Sequence, residues 1–461
     1  MIVKTKDMKK YFLLYSLFTI VFLSSCQKNW LEKKPNTSLF IPTTLEDCQI
    51  LLDNNSRLNN REPGIGEIGA DNYFKLYADW QTAQEPERNM YIWAPDIYGS
   101  QPSPEWRNEY EKIYYANAVL ETLEKITPSA ATADQYNAVK GSALFFRAAG
   151  HYHLVSLFAK QYQEGSAATD LGIPIKTSAD INEVLVRPSV KVVYDQILAD
   201  LTEAKQLLPV NVVAKTRPSK VAAEGLLADV YLTMGNYDLA LDNANAAIGK
   251  YNQLLNYNTL STASNTPFTR FNAEVIYHCV QISFGIIVLG NAYVDTTLFR
   301  SYQANDLRRD LFYRNRTIGY SFKGSYNQSG SSFFSGIATD ELYLIRAECQ
   351  ARKNNLTGAI YDLNTLLRTR WRTGTYVNLT VGTQTQAQVL NLVLLERRKE
   401  LAFRGRRWND LRRLNRESST AFVIKRFLNN QEYTLAPNDN RYVYPIPQEE
   451  ISRSGIAQNP R

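Results

Sequence analysis

The sequence predicts a mostly α-helical protein, a right-handed superhelix of antiparallel helix pairs with long irregular loops and a few short strands. Three observations carry this. Leu227, Ala228, Tyr231, Gly235, Tyr237, Ala240, Ala247 and Ile248 fall at the spacing of a tetratricopeptide helix pair, a repeat of about 34 residues. Two apolar stripes run at helical spacing, Ile113, Ala116, Leu120, Leu123 and then Phe145, Ala148, Tyr152, Val155, Ala159. Between such stretches lie Gly-, Ser- and Asn-rich segments with no helical period.

Taken in order, residues 110–162 form a first tetratricopeptide-like pair, its opening helix ended at Pro128. Residues 165–188 connect it onward, with Gly172, Ile173 and Pro174 as the stiff part. The pair within 189–250 explains its own residue types: Ala228 and Ala240 let two helices approach closely, Gly235 makes the turn and the tyrosines wedge the groove. A weaker copy within 338–371 has Ala347, Asn354, Leu356 and Ala359 at matching intervals. Neither copy keeps the repeat's closing proline, so both read as degenerate. Residues 256–270 are irregular, 274–289 alternate as a strand or short hairpin does, and 319–336 form a loop rich in Gly, Ser, Tyr and Phe.

Ahead of all this stands an address. Lys4, Lys6, Lys9 and Lys10 precede an apolar run from Tyr11 to Leu23, and Ser24 and Ser25 lead to Cys26. That is the order of a secretory signal peptide, and the run is shorter than the roughly 20 residues needed to span a bilayer. Leu23 to Cys26 resembles a bacterial lipobox, which implies cleavage after residue 25 and acylation of Cys26. Residues 26–42 then read as a polar tether, and 43–461 as one domain.

The chain has 461 residues and a formal charge of +7, of which the leader supplies +3. The remaining balance is too mild for a nucleic-acid partner, and no nucleic-acid module is present. Its arginines concentrate at 368–372 and 397–413 among Glu and Asp, as ion-paired or solvated helix faces. Cys48, Cys279 and Cys349 read as buried small hydrophobes rather than a disulfide framework. Gly64-Ile65-Gly66-Glu67-Ile68-Gly69 matches the dinucleotide fingerprint, but no strand precedes it, so it reads as a flexible loop. His151 and His153 point to different helix faces and share no metal. Residue pairs Asp340/Glu341 and Glu396/Glu400 read as structural ion pairs, and no nucleophile elbow accompanies the three histidines. The expectation is no enzyme, no cofactor and no metal.

In order along the chain, these segments resemble the SusD/RagB family of outer-membrane nutrient-binding lipoproteins. Cys26 with Trp30-Leu31-Glu32-Lys33-Lys34-Pro35, Ala143 to Ala148 through Tyr152, Leu171 to Pro174, and Val193-Tyr194 to Pro209 are similar to successive family segments. So are Arg346-Ala347-Glu348, Glu396 to Phe403 with Arg407 to Leu411, and Tyr444-Pro445-Ile446-Pro447. Arg404 departs from the pattern, which has an acidic residue before Gly405. The resemblance implies a SusD-like fold and a non-catalytic surface lipoprotein, held to the outer membrane by its lipid alone. It would pass an oligosaccharide, or alternatively a peptide, to a TonB-dependent SusC-like transporter. Sugar rings stack on flat aromatics while their hydroxyls take polar partners, and two windows fit. The first holds Asp71, Tyr73, Tyr77, Trp80, Tyr91 and Trp93; the second holds Tyr320, Phe322, Tyr326, Asn327, Phe333 and Phe334.

Overall fold

Serine and asparagine side chains start five of the long helices, and left-handed residues follow the ends of two. The computed structural model describes residues 42–461 apart from 100, 185, 289 and 291; the leader, Cys26 and the tether to residue 41 lie outside these. Beyond residue 100, helices of eight residues or more are α1 Pro104–Leu123, α2 Ala133–Phe158, α3 Val190–Leu207, α4 Lys220–Met234, α5 Tyr237–Lys250, α6 Thr339–Arg352, α7 Leu356–Leu367, α8 Gln386–Glu400 and α9 Arg407–Leu414. The N-cap side chains of Ser103, Ser189, Ser219, Asn236 and Asn355 each accept a backbone N–H of the first turn. Gly235 at φ +86° ends α4, and Asn354 at φ +61° turns the chain from α6 into α7.

Helices α1 to α5 pack each on the next, α6 packs on α5, and α7 and α8 pack on α6, as a stack of antiparallel pairs. Ala228, Ala240, Ala244, Ile345 and Cys349 are buried together where α4, α5 and α6 meet, so the small residues do admit close approach, with Tyr231 and Tyr237 packed at the edge. Leu344, Ala347, Ala359, Leu363, Val389 and Val393 form a second apolar cluster under α6, α7 and α8. The mostly helical prediction holds. All three cysteines are buried and free.

Eight short strands make four two-stranded antiparallel sheets among the described residues: β1 Tyr73–Phe74 with β3 Tyr293–Val294, β2 Val275–Tyr277 with β6 Ile337–Ala338, β4 Tyr313–Asn315 with β5 Tyr320–Phe322, and β7 Ile424–Leu428 with β8 Gln431–Leu435. Thus 274–289 is no hairpin, because its strand pairs with residues sixty positions later. The glycine fingerprint is not a flexible loop either: Ile65–Gly69 is a fully buried helical turn. A Cβ on Gly69 would lie 2.5 Å from the Tyr444 hydroxyl and 2.8 Å from the Trp408 ring, so the glycine there serves close packing.

In the 397–413 block every arginine but Arg412 is ion-paired and buried or half-buried, and Arg370 is likewise in the 368–372 block, whereas Arg368 and Arg372 are exposed. Arg308 meets Asp306, Glu396 and Glu400 at 2.6–2.9 Å, and Arg370 meets Glu274 and Glu400 at 2.7–2.8 Å. Arg404 pairs with Asp340 at 2.8 Å, so this departure from the family pattern joins the network. Arg413 grips Glu348 with both terminal nitrogens, at 2.6 and 2.8 Å.

Candidate functional site

The two aromatic windows are brought onto neighbouring short sheets, where Phe74, Tyr293 and Tyr320 make a partly exposed aromatic face and Tyr77 and Trp80 follow a few residues after β1. Phe74 opposes Tyr293 in the β1–β3 pair, and their rings stack 5.4 Å apart at 25°. Strand β3 also packs beside β5, and a Cβ on Gly319 would meet the Tyr293 ring at 3.8 Å. The next residue, Tyr320, lies flat on Phe299 with centroids 3.5 Å apart at 15°, and the Arg309 guanidinium sits 5.1 Å from the Phe299 centroid. Directly after β1, Tyr77 stacks on Trp80 at 5.8 Å and 22°. The Trp80 Nε1 donates to the Arg88 carbonyl, fixing the indole plane. Tyr77 is 38% exposed, and Trp80, Phe74, Tyr293 and Tyr320 are half-buried. Arg314, Arg316 and exposed Asn315 on the β4 side supply polar neighbours. Parallel, half-open rings bordered by guanidinium and amide groups match what a sugar ring's apolar face and hydroxyls require.

Of the residues singled out in the sequence, Tyr320 reaches this face, and Tyr77 and Trp80 stay partly exposed just after β1. Of the other nine, Asn327 is half-buried and the remaining eight are enclosed. Asp71 receives a bidentate grip from Arg407 at 2.6 and 2.9 Å and a further contact from Arg398; burial opposes its charge, yet the two guanidiniums hold its carboxyl well below the usual range. Tyr73, Tyr91 and Trp93 surround the Arg426 guanidinium, which lies 5.5, 3.8 and 4.5 Å from their centroids. Their polar atoms are satisfied inside, Tyr73 on the Ile68 carbonyl, Tyr91 by the Lys75 N–H and Trp93 on the Gly69 carbonyl. Tyr326 is buried with its hydroxyl 2.6 Å from that of Tyr257. Phe322 and Phe333 pack edge to face inside the same loop. Phe74 and Tyr293 complete the face, with buried Phe299 beneath Tyr320, and the first two went unread in the sequence because two-residue strands leave no period to detect.

Among the described residues, two groups have the spacing of metal ligands, two glutamates with a histidine (Glu62/Glu109/His153) and three carboxylates (Glu274/Asp340/Glu400). Side-chain cations already occupy both. Lys112 Nζ lies 2.7 Å from Glu62 and 3.0 Å from Glu109, and Arg370 and Arg404 serve the second group. His153 Nδ1 sits 2.9 Å from Glu62 and 3.0 Å from Glu109. Burial works against its charge, but the two carboxylates win and raise it to about 9. The sign follows: this stabilisation is fully present below pH 6.5, the unperturbed value, and is lost as pH rises through about 9. Thermal midpoints between pH 6 and 10 are expected to fall more steeply for the parent than for His153→Gln; parallel curves would remove this role. His151, by contrast, is buried and neutral, accepting from the Lys176 N–H through Nε2.

The chain matches two related families along most of its length. One, described as starch-binding associating with outer membrane, covers residues 29–232; the SusD family covers 299–461. A SusD-like protein P2 of Formosa agariphila is 25% identical over 419 residues, 76% of this chain and 78% of that protein. Among solved structures, a SusD superfamily protein of Bacteroides thetaiotaomicron superposes with TM-score 0.74 at 22% identity, covering 91% of this chain and 100% of that one. A SusD-like carbohydrate binding protein of Bacteroides vulgatus gives 0.69 at 20% identity, over 90% and 97%. A laminarin binding SusD-like protein gives 0.65 at 18% identity, over 92% and 100%. At these identities the structures establish a shared fold.

Proposed function

The chain belongs to the SusD family, and from that premise we propose that it captures an oligosaccharide at the outer membrane and delivers it to a TonB-dependent SusC-like transporter, without catalysing a reaction. The observation that carries the ligand class is the set of partly exposed rings on and just after the short strands, with Tyr77 stacked on Trp80, Phe74 on Tyr293, and Tyr320 on the buried Phe299. Relatives whose descriptions name carbohydrate or laminarin support the same class. No observation favours the peptide alternative. Replacing Trp80 with Ala is expected to weaken oligosaccharide binding by on the order of 1–3 kcal/mol while leaving the fold intact, read by titration calorimetry across a glycan and peptide panel. Undiminished glycan affinity would take Trp80 out of the site, and selective peptide binding would replace the ligand class.

Anchoring is proposed to rest on Cys26. An acylated cysteine buries its chains at about 0.8 kcal/mol per methylene, and more than one chain is needed for lasting attachment. Cys26→Ser should move the protein from the membrane fraction to the soluble one. Retention of Cys26→Ser in washed outer membranes would sink the lipid anchor and point to attachment through protein contacts.

A further inference from the structure

Among the described residues, the buried arginines have a compensating partner, with one exception. Arg308, Arg370, Arg397, Arg404 and Arg413 each touch a carboxylate. Arg426 touches none but lies among three aromatic rings. Arg412 has neither among the described residues, although it is only 3% exposed. Two of its nitrogens donate to the carbonyls of Ser156 and Ala159, at the C-terminal end of α2. A helix end offers about half a negative charge, so part of the cation stays uncompensated. Burial accordingly lowers its affinity for the proton, to about 10.

That guanidinium faces a cavity of about 280 Å³ beneath α9, lined also by Gln163, Asn415, Asp439, Asn440 and Tyr442. The buried Asn415 amide and Tyr442 hydroxyl sit side by side on its wall and hydrogen-bond to each other. Two carboxylates on the wall are already neutralised, Asp170 by Lys160 at 2.8 Å and Asp439 by Arg441 at 2.7 Å. The volume lies just under the ~300–1,000 Å³ typical of sites for drug-sized ligands, which suits one sugar ring rather than a chain. None of these residues belongs to the aromatic face.

We propose that this cavity is a second binding site, taking the carboxylate of an acidic sugar on Arg412 and its hydroxyls on Asn415, Tyr442, Gln163 and Asn440. The sugar half of the assignment rests on the carbohydrate reading above; the anion half does not.

The test titrates the purified protein with sodium glucuronate, glucose and sodium acetate at constant ionic strength, by calorimetry. Glucuronate is expected to bind roughly tenfold or more tightly than glucose, since a charge-assisted hydrogen bond is about twice as strong as a neutral one. Arg412→Gln should abolish the preference, and because Arg412 also caps α2, Asn440→Ala provides the milder variant, weakening glucuronate without touching the cation. Trp80→Ala should change neither. Equal affinities for glucuronate and glucose, or no glucuronate binding, overturn the site. Acetate binding as tightly as glucuronate overturns the sugar half. Loss of glucuronate binding in Trp80→Ala but not in Asn440→Ala overturns the second site and leaves the aromatic face standing.

Discussion

Glu400→Ala is expected to cost on the order of 3–5 kcal/mol of folding free energy, because it leaves two buried cations short of a partner. Glu400 is fully enclosed, with one oxygen 2.9 Å from Arg308 Nη1 and the other 2.8 Å from Arg370 Nε. Tyr257 adds a hydroxyl at 3.3 Å. Arg308 would keep Asp306 and Glu396, but Arg370 would keep only Glu274 at close range. A urea titration reads the cost as a lowered midpoint at unchanged slope. Glu400→Gln preserves volume, so a comparable loss there assigns the effect to charge rather than to a cavity. The acid limb checks the same network. Burial resists ionisation of Glu400, yet Arg370 and then Arg308 outweigh it and hold the carboxyl at about 2. Its contribution is therefore present above about pH 4.3, the ordinary glutamate value, and disappears as pH falls toward 2. A variant midpoint within about 0.5 kcal/mol of the parent, the range of ordinary surface substitutions, would show that the network carries no net stability.

What was legible in the sequence follows from how local the cause is. The helix pairs could be read because their determinants sit a few residues apart, alanines where helices touch and Gly235 where the chain reverses, whereas the capping serines and asparagines emerged only from the structure. The aromatic face was legible as stretches and not as residues. Both windows do contribute to it, but which rings open outward depends on partners far along the chain. Arg426 draws in Tyr73, Tyr91 and Trp93 from more than 300 positions away, and Arg407 does the same to Asp71. The glycine fingerprint failed as a loop for a related reason. Glycine spacing alone does not reveal that Trp408 and Tyr444 occupy the space a side chain would need. Charge pattern likewise predicted pairing at Arg397–Arg413 but not depth, since sequence carries no measure of how many layers cover a helix.

The two tryptophans of the first window should separate by experiment, because they share a sequence neighbourhood and not an environment. Trp93 is 1% exposed, and its Nε1 donates to the Gly69 carbonyl at 3.0 Å. Its ring is one of three that face the Arg426 guanidinium, which in turn holds the carbonyls of Ile68, Ala70 and Tyr91. Trp93→Ala therefore empties a core position, strands a carbonyl and thins the cover over a buried cation. Truncating a buried Trp typically costs about 3–5 kcal/mol, so the variant's denaturation midpoint should fall by that amount. Glycan affinity measured on the folded fraction should stay at the parent's value, because no Trp93 surface is offered to solvent. Trp80→Ala should give the reverse pattern, a near-intact midpoint with weakened binding, since Trp80 is half-buried and its indole N–H makes one hydrogen bond, to the Arg88 carbonyl. If Trp93→Ala instead folds like the parent and loses the glycan, the Arg426 cluster opens in solution, and the ligand platform lies there rather than on the Tyr77–Trp80 stack.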